Sequence, residues 1–303
     1  MIVHPNVKVN LGLNVLRRRE DGFHDLETLF VPYFEIADVL EIVAGDDYSR
    51  TSASLFARYG MPSGCGVQEN AEPQQLVQGV SGDGKLMITI ARREGVDWNP
   101  LEDLCAKAYF ILAEDFPLPP VKIFLEKLSP VGAGLGGGSS DAAFALKMFN
   151  EMFSLGLDER AMASYASRLG SDCAFFVYNR PMFGSGRGEI LEPYDLAESV
   201  DFGGNSHATF ELKVLVPENI SVSTADAYRG IIPAVPDVPL RDILALPLEK
   251  WTGNLKNDFE TTVFARHPEL KRIKDSLYDS GAVYAAMSGS GSALFGIYRK
   301  NID

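Results

Sequence analysis

Cysteine is scarce in this chain. The three present, Cys65, Cys105 and Cys173, stand far apart in 303 residues. An odd, scattered set excludes a disulfide framework and suits reduced thiols in a cytosol. No Cys or His pair has the spacing of a zinc site, and no apolar run has the length that crosses a bilayer. The opening Met1-Ile-Val-His-Pro5 lacks the charged-then-apolar layout of a secretory leader. A cytoplasmic protein is expected, with no membrane partner. Positive charge is also short, with 28 Lys and Arg against 41 Asp and Glu and a net charge of -13. That balance argues against nucleic acid as a partner. Internal repeats are absent. What remains is an ordinary globular composition, 46% hydrophobic and 23% charged, long enough for a sizeable core in two domains.

Against this background one segment is dense in glycine. Five of the seven residues from Gly132 to Gly138 are glycine, and Ser139, Ser140 and Asp141 follow. Glycine reaches backbone angles closed to other residues and lets the main chain approach a ligand. Successive N–H groups can then converge on an anion. Ala142, Leu146, Phe149 and Phe153 recur at steps of three and four, so a helix begins directly after the loop. Its free N–H groups and dipole favour phosphate, and Ser139 and Ser140 can cap it or touch a phosphate or its metal.

Three readings compete for this loop. One is a plain surface turn. A second is a dinucleotide fingerprint, since Gly132, Gly134 and Gly137 fit G-x-G-x-x-G. That pattern wants its glycines directly after a strand, whereas Leu128-Ser-Pro-Val131 separates them from the strand-like Val121–Leu125. The Walker pattern fails for want of a closing Gly-Lys-Ser/Thr. The third is a different kinase phosphate loop. The negative net charge means any anionic ligand must be held by local donors. Lys8, Arg17, Arg18 and Arg19 outnumber Glu20 and Asp21 in residues 1–24, although an arginine run also suits a solvated loop.

Residues 7–16 alternate as a half-buried strand, Asp21-Gly22 supplies a turn, and 26–43 continue as strand broken at Asp38. Residues 44–84 turn polar and glycine-rich and read as an insertion, a β excursion on one edge. Helix is predicted over 101–114, strand over 121–127, and helix over 158–169 with Asp158 as N-cap and Gly170 as stop. Gly184–Gly188 is a further turn. The acidic segment 195–206 marks the boundary between domains 1–200 and 201–303. Strand 211–216, helix 268–280, strand 283–287, turn 288–291 and strand 293–298 complete the chain.

In this order the blocks resemble the galactokinase, homoserine, mevalonate and phosphomevalonate kinase (GHMP kinase) superfamily. Its marks are an N-terminal lysine strand, a Pro-x-x-x-Gly-Leu-Gly-Ser-Ser-type loop and a late glycine turn. Within it the chain is most similar to the 4-diphosphocytidyl-2-C-methyl-D-erythritol kinase family of non-mevalonate isoprenoid precursor synthesis. The matching segments are Lys8–Leu13, Arg19–Thr28 with its Asp-Gly-Phe-His core, Val131–Ser140, Leu169–Phe176, Asn257–Glu260 and Ser288–Gly291. The resemblance implies a two-domain α+β GHMP kinase fold, with an N-terminal ribosomal-protein-S5-domain-2-like domain and a C-terminal ferredoxin-like α/β sandwich. It also implies ATP and Mg²⁺ as cofactors, a cytidyl diphosphate sugar alcohol as substrate, transfer to its 2-hydroxyl, and a monomer or homodimer.

Roles follow from the same resemblance. Asp172 would take the proton of the attacking hydroxyl, and Lys8 matches the lysine beside that acid. Pro130, Val131, Gly132, Ala133, Gly134, Leu135, Gly136, Gly137, Gly138, Ser139 and Ser140 would hold the ATP phosphates. Asp103 stands where the family's adenine-contacting Asn is expected. His24 would read the cytosine edge, Phe23 (where the family has Tyr) and Tyr228 would flank the ring, and Asn10 and Thr224 would hold the methylerythritol diphosphate end. Each residue has a plainer reading. Lys8 is also an ordinary strand lysine, His24 a surface side chain, Asp172 a turn cap and Tyr228 a core aromatic. A sibling kinase of another small alcohol would keep the loop without needing His24. A non-catalytic nucleotide sensor would dispense with Lys8 and Asp172.

Overall fold

The structure, a computed structural model, describes residues 1–45, 50–60, 74–196, 199–204, 207–218 and 220–300. Cys65, part of the 44–84 segment and part of 195–206 lie outside them. In chain order the elements begin with β1 (Ile2–Val3), β2 (Asn6–Arg18), β3 (His24–Ala37), β4 (Val39–Ala44), α1 (Arg50–Tyr59), β5 (Gln74–Val80) and β6 (Leu86–Val96). A 3₁₀ turn at Pro100–Glu102 leads into α2 (Leu104–Ala113), followed by β7 (Val121–Lys127), α3 (Gly137–Met152), α4 (Glu159–Leu169) and α5 (Cys173–Tyr178). Then come β8 (Met182–Ser185), β9 (Ile190–Pro193), β10 (Val200–Asp201), β11 (Phe210–Leu215), α6 (Thr224–Tyr228) and α7 (Leu240–Leu244). The last are α8 (Phe259–Arg266), α9 (Pro268–Asp279), β12 (Tyr284–Met287) and β13 (Leu294–Arg299).

These elements group into two compact units, each assembled from separate stretches of chain. Residues 1–6, 36–129 and 137–178 make the first. Its sheet runs β1-β4-β7-β6-β5, antiparallel except for the parallel β6–β7 pair. That parallel pair needs a crossover, which α2 supplies. The 44–84 segment contributes edge strand β5 and, unforeseen, α1. Leu55 of α1 packs with Leu76, Ala91 and Phe124, and Arg58 and Tyr59 both reach the buried Glu126 carboxylate.

Residues 7–35, 130–136 and 179–303 make the second unit. It holds one sheet ordered β2-β3-β8-β9 and another ordered β10-β11-β13-β12. Its core joins Leu13 and Val15 of β2 to Phe259 and Val263 of α8, Leu270 and Leu277 of α9, and Ala285, Met287 and Leu294 of the last two strands. Asp21-Gly22 turns the β2–β3 hairpin, with Gly22 at φ +86° as a left-handed turn position requires. Phe23 and His24 therefore sit at the hairpin end. Among the described residues no helix is long and apolar enough to cross a membrane.

Candidate active site

In the second unit the glycine loop is a row of left-handed turns. Gly132, Gly134 and Gly136 take φ of +73°, +77° and +72°, separated by the buried Ala133 and Leu135. Its carbonyls are turned into the protein. Ala133 O accepts from Ala293 N, and Leu135 O accepts from Lys8 N at 2.9 Å. Gly134 O accepts from Lys8 Nζ at 2.8 Å and from Ser288 Oγ at 3.2 Å. Among the described residues, the N–H groups of Val131, Gly132, Gly134, Leu135 and Gly136 donate to no protein acceptor, while Ala133 closes a turn begun at Pro130. Free N–H groups in such a curve are a concave anion site. The chain then enters α3 at Gly137 in the first unit, where the opening N–H groups have no intrahelical partner. Ser140 Oγ, in that first turn, is buried and unpartnered.

Lys8 lies buried on β2, so the solvated-strand reading does not hold. Its ammonium donates to Asn10 Oδ1 as well as to the loop carbonyl, and it lies 5.6 Å from the Phe30 ring centre. Asn10 is occupied at both ends, since its Nδ2 donates to Thr28 Oγ1 at 3.0 Å. It thus holds Lys8 in place. The late glycine turn packs against the loop within the same unit. A Cβ on Gly134 would stand 2.2 Å from Ser288 O, and one on Gly289 3.0 Å from Gly134 O. Asn257 builds that turn, donating from Nδ2 to Met287 O and Gly289 O while accepting from Phe259 N. The sequence motif around Asn257 was visible, but not this work of its side chain.

At the hairpin end, His24 stacks on Tyr228 with ring centres 4.7 Å apart and planes 19° from parallel. Tyr228 also meets Phe259 edge-on and packs on the unit's core. Phe23 is 55% exposed, with the Arg187 guanidinium 5.0 Å from its ring centre. Burial, with the nearby Arg18 charge, pushes the His24 imidazole below the ordinary histidine range, which favours the neutral ring. Two of the neighbouring arginines are held by carboxylates. Arg17 pairs with Asp25, and Arg19 with Asp21 and Asp25. Thr224 opens α6, its hydroxyl 3.4 Å from Ser290 Oγ.

In the first unit, Asp172 sits in the tight turn Gly170–Asp172 between α4 and α5. Cys173 N donates to Gly170 O to close that turn, and Ser171 Oγ contacts Asp172 Oδ1 at 3.3 Å. Asp103 caps α2: Oδ1 accepts from Cys105 N at 2.9 Å, and Oδ2 from the Trp98 indole at 3.0 Å. Burial pushes its carboxyl upward. Its polar atoms are thus committed to the fold.

Comparison with known proteins places the chain in a family. The family profile for the GHMP kinase N-terminal domain matches residues 103–180, and that for the C-terminal domain matches 245–302. A 4-diphosphocytidyl-2-C-methyl-D-erythritol kinase of Bacteroides fragilis is 41% identical over 298 residues, 98% of this chain and 92% of that one. The enzyme of that name from Parabacteroides distasonis is 39% identical over 99% of this chain and 92% of its own length. A crystal structure of 4-(cytidine 5'-diphospho)-2C-methyl-D-erythritol kinase superposes with a TM-score of 0.67 at 30% identity, covering 98% of this chain and 89% of that one. Homoserine kinase of Cytophaga hutchinsonii, at 16% identity and a TM-score of 0.56, shares the fold. The chain belongs to the GHMP kinases and, within them, to the 4-diphosphocytidyl-2-C-methyl-D-erythritol kinase family.

Proposed function

We propose that this chain transfers the γ-phosphoryl group of ATP to the 2-hydroxyl of 4-diphosphocytidyl-2-C-methyl-D-erythritol, in non-mevalonate isoprenoid precursor synthesis. The observation that carries the reading is the loop. The carbonyls of Ala133, Gly134 and Leu135 face the protein, most of its N–H groups have no protein acceptor, and family membership supplies the nucleotide chemistry. Phosphoryl transfer asks for positioning and charge stabilisation more than covalent help. Residues 130–140 hold the phosphates through those N–H groups and the opening turn of α3. Lys8 sets the loop through Gly134 O and brings a positive charge to it.

Magnesium bound with the nucleotide would supply neutralisation of phosphate charge. Ser140 Oγ, a buried oxygen without a partner, suits its coordination. Asp172 accepts the 2-hydroxyl proton as the oxygen attacks phosphorus and the bond to the ADP oxygen breaks. Neutral His24 offers one donor and one acceptor to the cytosine edge, with Tyr228 bracing the imidazole. The open ring of Phe23 stacks on the base, worth roughly 1–3 kcal/mol. Thr224 would contact the diphosphate end.

The experiment is a coupled ADP-release assay on Asp172→Asn. Loss of a general base costs about 10²–10⁴-fold in rate, so kcat should fall at least a hundredfold on that scale, while ATP affinity stays near wild type. Near-wild-type turnover would make Asp172 structural.

A further inference from the structure

The roots of the glycine loop share a buried ionic cluster that the catalytic scheme does not use. Asp38 lies in the break between β3 and β4, Lys127 ends β7, and Asp141 is in the opening turns of α3. All three side chains are almost fully buried. Lys127 Nζ donates to Asp38 Oδ2 and, at 2.6 Å, to Asp141 Oδ2. It also meets Ser129 Oγ at 3.2 Å. Asp38 Oδ1 accepts from Leu128 N and Ser129 N, both at 2.6 Å, and its Oδ2 accepts from Ser129 Oγ at 2.7 Å. Asp38 therefore gathers four donors from the three residues that precede Pro130. The exit side is as tight, since a Cβ on Gly137 would stand 2.3 Å from Ser129 Oγ and 3.3 Å from Lys127 Nζ.

We infer that Lys127 is a positioning residue for the kinase reaction: with Asp38, Ser129 and Asp141 it ties the chain entering the loop at Ser129 to the chain leaving it at Gly137, and so sets the curve of residues 130–136 around the ATP phosphates. The physical reason is specific. A glycine loop is soft, because each glycine has wide backbone freedom to lose. Fixing both ends at one buried point cuts that freedom without adding side chains where the ligand must approach. A buried ion pair is a weak source of stability and a better one of geometry. One ammonium serves two carboxyls here. Burial and the Asp38 charge push Asp141 well above the ordinary carboxyl range, while Lys127 and the Ser129 donors offset burial and hold Asp38 low. The shared ammonium thus faces two carboxyls pushed in opposite directions.

The inference rests on the reading that the loop holds ATP, and two measurements separate the claims. Asp141→Leu cuts the exit tie but leaves one ammonium facing one carboxylate. Backbone 15N order parameters over residues 131–138 should then fall, and KM for ATP should rise about tenfold or more, while KM for the cytidyl acceptor holds. Asp141→Asn keeps an acceptor for Lys127 and should restore both values. Wild-type order parameters in folded Asp141→Leu overturn the clamp. Lower order parameters with an unchanged ATP KM overturn its link to ATP and leave the loop reading standing. Parallel rises in both KM values also overturn the clamp, as a general packing defect. If Asp141→Leu does not fold, Ser129→Ala decides by the same readings: a selective rise in ATP KM of about threefold or more supports the clamp, and no change overturns it.

Discussion

Gly134 shows how closely the site depends on single atoms. Its φ of +77° and the 2.2 Å approach of an added Cβ to Ser288 O both oppose any side chain. The neighbour is backbone, so no rotamer relieves the clash. Gly134→Ala should shift the loop and weaken ATP binding by about tenfold or more, read by nucleotide titration; unchanged binding would mean the loop does not hold the phosphates. His24 is the residue proposed to read the other substrate. Its imidazole is held below the ordinary histidine range, so acceptor KM should stay flat between about pH 8 and 7. His24→Ala should raise acceptor KM about tenfold, the worth of one or two hydrogen bonds, with ATP KM unchanged. No change in acceptor KM would favour a kinase of another alcohol. Asp141 gives a test with a definite sign. A carboxyl raised on folding makes the folded state bind more protons than the unfolded one, so stability falls as pH rises above the unfolded value of about 4. Asp141→Asn removes that dependence. Its melting temperature relative to wild type should therefore climb as pH increases from about 4 toward 8. A constant difference would mean that Asp141 is ionised in the fold. Asp38, shifted downward, behaves oppositely and loses its contribution as pH falls, but it is common to both proteins and cancels.

Elements with strong local signals were legible. Strand 121–127 and the α4 limits at Asp158 and Gly170 follow from alternation and capping, and Asp158 Oδ1 does accept from Ala161 N. The break at Asp38 was visible as a charge in an apolar run, yet its purpose was not, because its partners begin 89 residues on. Helix α1 went unread. Its buried face rests on Leu55, which becomes core only against β5, β6 and β7. Helices α6, α7 and α8 are too short for a clear period and depend on tertiary packing. Within the site, residue types were readable but partners were not. Lys8 reaches a carbonyl 126 residues away, and Tyr228 stacks on His24. Asn257 belongs at this scale, because its amide joins α8 to the turn after β12. Asn257→Ala would leave buried backbone groups unpaired at about 1–3 kcal/mol each. Urea unfolding should show a loss of that order, and a midpoint equal to wild type would contradict the assignment.

Over the whole molecule, the net charge of -13 opposes both anionic substrates, and the local donors must work against it. Screening should relieve the global repulsion more than the buried contacts. Raising salt from about 20 to about 150 mM should therefore hold or modestly raise kcat/KM. A steep fall would point to exposed cations as the capture device. Beyond charge, the proposed function needs a GHMP kinase scaffold to carry a loop for ATP and a hairpin end that selects a cytidyl acceptor. The most direct test offers the purified protein MgATP with 4-diphosphocytidyl-2-C-methyl-D-erythritol, mevalonate, homoserine and galactose in parallel, and follows ADP release. Turnover with the cytidyl acceptor and background with the other three are expected. No turnover of the cytidyl acceptor, or preference for another alcohol, would contradict the proposed function.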